Sequence, residues 1–80
     1  MKRSLSASAR AVAQVIARAR EERDVSQREL AARLKRLHSV IGMIERGGRQ
    51  VTVPELIAIA EALQFDPAEL FRRILRLRKP

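Results

Sequence analysis

Arginine supplies most of the ionisable chemistry in this sequence. Of the 17 basic residues in the 80-residue chain, 14 are arginines, and only nine residues are acidic, so the formal net charge is +8. A planar guanidinium is well suited to phosphate. The charge balance therefore favours a polyanionic partner, nucleic acid first and an anionic membrane second. A GC-rich coding genome would also enrich arginine, but the positive charge is present in either case.

Other kinds of chemistry have little support in the sequence. The chain has no cysteine and one histidine, His38, so disulfides are excluded and a zinc site would lack ligands. It contains no carboxylate pair, nucleophile–base set or phosphate loop that would suggest an enzyme. No apolar run approaches the roughly 18 residues that span a bilayer, and Arg10, Gln14 and Arg18 interrupt the only stretch similar to a signal peptide. We expect a cytoplasmic, non-enzymatic protein without metal or cofactor.

Charge is distributed unevenly along the chain. Residues 1–20 carry five basic and no acidic side chains, and residues 28–49 carry six basic and two acidic ones. Residues 51–70 carry four acidic side chains and no basic ones, and the last ten residues carry five basic ones. Such polarity suits a molecule that docks one face on DNA.

Two short helices are predicted to position the basic segment at residues 28–49. Apolar residues recur there twice at helical spacing. The first set is Leu30, Ala31 and Leu34, and the second is Leu37, Ile41 and Ile44. Lys35 and Arg36 separate the sets, and Gly47 and Gly48 end the second. Two helices joined by a tight turn form a helix-turn-helix, whose second helix enters the major groove of DNA.

Capping signatures predict where the other helices begin. A serine, threonine or aspartate is followed three residues later by glutamate in three places. These pairs are Ser26 with Glu29, Thr52 with Glu55, and Asp66 with Glu69. A first helix is predicted over residues 9–23, with Ser8 as its N-cap and Asp24 at its end.

The sequence therefore predicts a single all-α domain of five helices over residues 9–77. Residues 1–8 are expected to form a basic flexible arm, which is either disordered or contacts phosphate or the minor groove. Residues 78–80 form a short basic tail.

Several ordered blocks of sequence resemble the Cro/cI-like, or Xre, family of helix-turn-helix transcriptional regulators. The resemblance covers residues 12–71. It rests on IARAREER (16–23), VSQRELAARL (25–34), IGMIERG (41–47) and VPELIAIAEAL (53–63) followed by DPAEL. It implies a compact, lambda-repressor-like domain of five helices, with the helix-turn-helix at helices 2 and 3, that binds double-stranded DNA.

The same resemblance implies roles for individual residues. Gln27 would bond a backbone phosphate and brace the recognition helix. Arg20 and Glu45 would form a partly buried structural ion pair that positions helix 3. Arg46 and Arg49, on either side of the turn after helix 3, would contact phosphate.

The predicted reading face of helix 3 is poor in polar side chains. If Leu37, Ile41 and Ile44 are buried, a rotation of about 100° per residue exposes the opposite face. That face carries Ser39, Gly42, Met43 and Arg46, with His38 at its N-terminal edge. Together with Gln27 and Arg49, whose roles the resemblance implies, and with the basic residues Arg28 and Arg36, they complete the set of candidate DNA-binding residues. Met43 and Val40 could pack on thymine methyl groups. Lys35 and Leu37 replace the turn glycine and the Ser/Thr cap that are usual in the family, so the start of helix 3 is expected to be shifted or irregular.

Two explanations of this face remain open. Gly42 could let the backbone approach the groove, while His38, Ser39, phosphate contacts and DNA shape provide specificity. Alternatively, base reading has decayed, which leaves a weakly specific DNA binder or a protein-binding module. We favour the first explanation because the positive charge around helix 3 is retained.

Helix 5 has more apolar residues than its own domain requires. Leu70 and Ile74 can complete the core, which leaves Phe71, Leu75 and Leu77 as a candidate dimer interface unless they too serve the monomer core. We expect a homodimeric regulator, a repressor rather than an activator, on a near-palindromic operator. The alternative is a protein-interaction module such as an antitoxin, with weak or nonspecific DNA binding and an unknown protein partner.

Overall fold

Five α-helices account for most of residues 6–78, which are the residues that this computed structural model describes. They are α1 (Ala7–Glu22), α2 (Gln27–Leu34), α3 (His38–Glu45), α4 (Val53–Ala62) and α5 (Pro67–Leu77). Residues 6–78 contain no β-strand, and none of their helices is long and apolar enough to cross a membrane. The predicted five-helix, all-α architecture is confirmed.

Two of the predicted capping boxes differ in how completely they form. Thr52 Oγ1 accepts the N–H of Glu55 at 3.2 Å, and the Glu55 carboxylate accepts the N–H of Thr52 at 3.0 Å, so this box is complete. Ser26 Oγ likewise accepts the N–H of Glu29 at 3.0 Å. The Glu29 carboxylate pairs instead with Arg33, one turn further along α2. In both cases the cap satisfies a backbone donor that the helix itself cannot.

Helix α1 begins two residues earlier than predicted. Ser6 is its N-cap, with Oγ accepting the N–H of Ala9 at 3.0 Å, and Ser8 lies inside the helix. Both serines offer the same capping chemistry, and Ala7 between them is a good helix former, so the helix extends to the earlier one. Residues 1–5 of the predicted arm and residues 79–80 of the tail lie outside the described residues.

Helices α1 to α4 end in similar left-handed turns. The backbone φ is 59° at Asp24, 56° at Lys35, 78° at Gly47 and 63° at Gln64. After each of these residues a backbone N–H bonds a carbonyl five residues back, which closes a Schellman motif. Only one of the four positions is glycine, and the other three carry roughly 1 kcal/mol or more of left-handed strain each.

The core is built from apolar side chains of all the helical segments. The largest fully buried side chains are Ile16, Leu30, Ile41, Ile59, Leu63 and Leu70. Helix α1 packs on α5 and α3, and α4 packs on α2 and α5, so the helix-turn-helix is held from two sides. Leu70 and Ile74 are buried as predicted. Each such side chain contributes roughly 1.5–3 kcal/mol of hydrophobic stabilisation.

The prediction that Leu37 belongs to the buried face of α3 was wrong. Its side chain is 74% exposed, whereas Ile41 and Ile44 are buried as expected. Leu37 is the N-cap of α3 and has extended backbone angles (φ −70°, ψ 143°), so it does not follow the helical spacing of the residues after it. The half-buried Val40 packs against the core instead.

Candidate nucleic-acid interface

A bidentate ion pair fixes the end of α3 to α1. Arg20 Nε donates to Glu45 Oε2 at 2.7 Å, and Arg20 Nη2 donates to Glu45 Oε1 at 3.0 Å. The remaining Arg20 Nη1 donates to the backbone carbonyl of Val25 at 2.8 Å. The two side chains are only 14% and 7% exposed, and the hydrogen bond to Glu45 raises the pKa of Arg20. The pair expected from the resemblance is therefore present, and it positions the C-terminal end of α3.

Gln27 extends this brace to the first residue of α2. Its Nε2 donates to Glu45 Oε1 at 2.9 Å, so a single carboxylate connects α1, α2 and α3. The Glu45 carboxylate accepts three hydrogen bonds of 2.7–3.0 Å, and those from Arg20 are charge-assisted at both ends. A rigid relation between the two helices of the motif follows from it.

Gly42 lies beneath the side chain of Arg46 rather than open to a partner. A Cβ at position 42 would be 3.1 Å from Arg46 Nη1 and 3.7 Å from Gln27 Oε1. The missing side chain thus provides the space in which the Arg46 guanidinium lies across α3, one turn back from its own Cα. The sequence placed Gly42 on the open reading face, but in the structure two candidate DNA-binding side chains cover it.

The outer surface of α3 presents four candidate side chains. His38, Ser39, Met43 and Arg46 are all exposed, whereas Val40 is half-buried and packs against the core. Histidine and serine can exchange hydrogen bonds with base edges, and methionine can contact thymine methyl groups.

The turn between α2 and α3 departs from ideal geometry where the sequence predicted it would. Lys35 adopts φ 56° and ψ 46°, a conformation that glycine adopts without strain. Leu37 provides no side-chain cap, and its carbonyl accepts the N–H of Val40 at 3.0 Å in a tight first turn. The helix nevertheless begins at His38, directly after the expected cap position.

Two candidate DNA-binding arginines share the carboxylate of Glu55. Arg49 donates from Nη1 to Oε1 at 3.1 Å and from Nη2 to Oε2 at 2.7 Å, and Arg36 Nη2 donates to Oε2 at 2.9 Å. The bonds from Arg49 and from the N–H of Thr52 lower the pKa of Glu55 to about 2. Sequence analysis missed this role of Glu55, because its place in the capping box already explained the residue.

Arg28 and Arg46 differ from this pair. Both are exposed, and within residues 6–78 neither guanidinium has a hydrogen-bond or ion-pair partner. Since their charges are not neutralised inside the domain, both can bind an anion without first breaking an internal contact.

The three apolar candidates on α5 do not form one surface. Phe71 and Leu75 are 52% and 41% exposed, and their spacing of four residues places them about 40° apart on the helix. Leu77 is also exposed, but it lies about 200° around the helix from Leu75. There it lines a pocket together with Val15 and Arg18 of α1.

Comparison with known proteins adds to this geometry. A family model described as Helix-turn-helix matches residues 16–70. An XRE-family like protein from Pseudomonas syringae pv. tomato str. DC3000 is 28% identical, with a TM-score of 0.80 over 88% of this chain and 85% of that one. The R46A mutant of the restriction-modification controller protein C.Esp1396I is 25% identical, with a TM-score of 0.84 over 91% of this chain and 97% of that one. The clp gene regulator ClgR from C. glutamicum is 22% identical and shares the fold, with a TM-score of 0.82 over 92% of this chain and 94% of that one. No curated protein matches the chain.

Proposed function

The chain belongs to the Xre family of helix-turn-helix regulators, which bind DNA. We propose that it is a repressor that binds a near-palindromic operator as a homodimer. The observation that carries the proposal is the brace at Glu45. Because Arg20 and Gln27 hold the end of α3 from two other helices, α3 can enter a groove as a rigid element. Preorganisation of this kind lowers the ordering cost of binding.

Contacts to DNA divide into two groups in this proposal. Arginine and glutamine side chains around α3 bind phosphate and set the register, and residues on α3 read the bases. The phosphate-binding residues are Gln27, Arg28, Arg36, Arg46 and Arg49. The base-reading residues are His38, Ser39 and Met43, with Gly42 giving Arg46 room to lie along the helix.

The dimer we propose forms through α5 and is centred on Phe71 and Leu75. These side chains share one exposed side of the helix, and pairing two copies would remove both from water. Leu77 faces α1, so its part in an interface would be at the edge. A twofold dimer that places its recognition helices about 34 Å apart would read half-sites one helical turn apart. Such a dimer represses by occupying the operator, with no further contact required.

Selection of bound fragments from a random duplex pool tests the proposal most directly. We expect enrichment of a near-palindrome with half-site centres about 10 base pairs apart. We also expect affinity for the selected site to fall steeply with salt and to exceed affinity for random duplex by at least about a thousandfold. Binding without any sequence preference would refute the operator and leave the protein-interaction alternative.

Two substitutions test the division of labour on α3. Arg46→Ala should weaken binding to all duplexes and reduce the salt slope by about one, because it removes a phosphate contact. His38→Ala should change the preference at particular base pairs. Arg76→Ala on α5 is the matched control for charge, since Arg76 is exposed and distant in sequence from α3. The reverse pattern at Arg46 and His38 would contradict the assigned roles.

Sedimentation equilibrium tests the dimer separately from DNA. Phe71→Glu should shift the protein to monomer without unfolding it, because the native side chain is already half exposed. Val53→Glu, which adds the same charge at an exposed apolar position on α4, is the control and should leave the dimer intact. A wild-type protein that remains monomeric at high micromolar concentration would refute the dimer.

A further inference from the structure

The residues on either side of α3 are connected through a carboxylate on α4. Arg36 lies in the turn before α3, Arg49 lies after it, and Glu55 is in the first turn of α4. Both guanidinium groups bond the same oxygen, Glu55 Oε2, at 2.9 and 2.7 Å. The two bonding nitrogens are therefore no more than about 6 Å apart. At that separation one phosphate group can accept hydrogen bonds from both arginines.

We propose that Glu55 is a positioning residue for DNA binding, which holds Arg36 and Arg49 together as one composite phosphate site. The proposal rests on the proposed function, because it concerns how that function's phosphate contacts are prepared. Glu55 itself does not touch DNA. It acts by fixing two long side chains in the free protein, so that their rotamer freedom is not lost on binding.

The hydrogen bonds of Glu55 support a fixed arrangement rather than a transient contact. Its two oxygens accept four bonds, from the N–H of Thr52, from Arg36 and from both terminal nitrogens of Arg49. Glu55 and Arg49 are half-buried. Glu55 and Arg36 also line a groove of about 330 Å³ between α3 and α4 whose other lining residues are apolar. A low-dielectric wall on one side strengthens the ion pairs.

The cluster keeps enough capacity to bind an anion. Two guanidinium groups and one carboxylate leave one net positive charge. Arg36 uses one of its five N–H donors on Glu55. Arg49 uses two on Glu55 and a third, at 3.3 Å, on the backbone carbonyl of Gln50. Because four donors of Arg36 and two of Arg49 are left over, the carboxylate orients the arginines without saturating them.

A simpler electrostatic account predicts the opposite change in DNA affinity when Glu55 is neutralised. If Glu55 only repels DNA or competes for the arginines, its neutralisation should strengthen binding, since the formal net charge rises by one from +8. If Glu55 positions the arginines, neutralisation should weaken binding even though the protein becomes more basic. The direction of the change therefore separates the two accounts.

Glu55→Gln is the central variant. The glutamine amide oxygen can still accept the N–H of Thr52, so the capping box and the fold are retained, and circular dichroism checks this. We expect affinity for a selected duplex to fall about tenfold. Without the carboxylate the two arginine side chains are mobile in the free protein, so DNA binding must also offset the cost of ordering them. Glu61→Gln, elsewhere on α4, is the control for charge and should bind as tightly as wild type or more tightly. Within residues 6–78, Glu61 has no ion-pair partner.

Two further measurements distinguish positioning from a general structural effect. In an Arg36→Ala, Arg49→Ala background, Glu55→Gln should have no additional effect on affinity, because no arginine remains to be positioned. Glu55→Asp keeps the charge but shortens the side chain, and it should weaken binding several-fold without any change in net charge. This variant also tests the proposal if Glu55→Gln does not fold.

The outcomes separate the two levels of the proposal. A wild-type protein that binds no duplex refutes the proposed function, and the positioning role fails with it. Wild-type binding combined with equal or tighter binding by Glu55→Gln, or by Glu55→Asp, refutes the positioning role alone. A loss in Glu55→Gln that persists in the double-alanine background also refutes it.

Discussion

Glu45 is the residue whose replacement tests most sharply how α3 is held. Its carboxylate accepts two bonds from Arg20 and one from Gln27, and its side chain is 7% exposed. Glu45→Gln keeps the size of the side chain and one oxygen acceptor but removes the charge. Arg20, itself only 14% exposed, then loses its hydrogen-bonded counter-ion and keeps the carbonyl of Val25 and the exposed carboxylate of Glu21 at 3.9 Å.

The expected loss follows from the burial of the pair. Breaking a fully buried ion pair from one side costs about 3–5 kcal/mol. Arg20 retains some solvent, one backbone acceptor and the carboxylate of Glu21 at 3.9 Å. We therefore expect the free energy of unfolding to fall by about 2–3 kcal/mol, at or just below the lower end of that range. A domain of 80 residues has roughly 4–12 kcal/mol of stability in total. The melting temperature should therefore fall by roughly 10–20 °C.

Thermal and urea unfolding followed by circular dichroism measure this loss. Glu29→Gln is the matched control, since it breaks an exposed pair with Arg33 and should cost no more than about 0.5 kcal/mol. Replacing both Arg20 and Glu45 by methionine should recover much of the stability, because no charge is then left unpaired. A loss in Glu45→Gln no larger than that in Glu29→Gln would refute the reasoning.

Three further predictions concern the surface of the helix-turn-helix. Leu37→Ser should raise the free energy of unfolding by about 1 kcal/mol in urea, because serine supplies the side-chain cap that α3 lacks. Gly42→Ala should gain up to about 1 kcal/mol of helix propensity, but it should weaken duplex binding measured by fluorescence anisotropy, because it displaces the Arg46 guanidinium. The pKa of Glu55 is about 2, below its ordinary value of 4.5, so its ionised form stabilises the fold above about pH 4.5 and this contribution is lost as the pH falls towards 2. Melting curves from pH 5 to 2 should show a smaller acid loss in Glu55→Gln than in wild type.

The features that sequence predicted best depend on contacts within one turn of helix. The box of Thr52 with Glu55 and the left-handed end at Asp24 are local, so residue type and spacing are enough to specify them. The error at Ser8 has the same origin, because Ser6 offers identical local chemistry two residues away. Arg20 and Glu45 are far apart in sequence, and only the resemblance to a family indicated their pairing.

Contacts between distant residues account for what the sequence could not show. Arg36 and Glu55 are 19 residues apart, and no local rule connects them. The exposure of Leu37 depends on where α3 begins, and the sequence offered Leu37 as a buried residue because its spacing to Ile41 is helical. Gly42 was assigned correctly to a helix, but the side chain that covers it comes from the next turn.

Several of the arginines stabilise the domain itself instead of remaining available to a partner. Arg23 donates to the carbonyls of Leu63 and Gln64, and Arg33 donates to that of Ala62, so two arginines from other segments cap the C-terminal end of α4. The guanidinium carbon of Arg23 also lies 3.9 Å from the centre of the Phe65 ring, over its face. Composition alone had indicated only that this charge favours a polyanionic partner.

In a core built largely from alanine and branched aliphatic residues, long arginine side chains join helices that have few large side chains to bury. Those arginines, such as Arg20, are already neutralised or committed to carbonyls, and their loss should appear first in stability. Arg28 and Arg46 have no such commitment among the described residues, so their loss should appear in affinity. Arg36 and Arg49 lie between these classes, because Glu55 both occupies and orients them. Fewer arginines are therefore available to a partner than a net charge of +8 suggests, and of the candidate DNA-binding arginines Arg28 and Arg46 are the ones without an internal contact among the described residues.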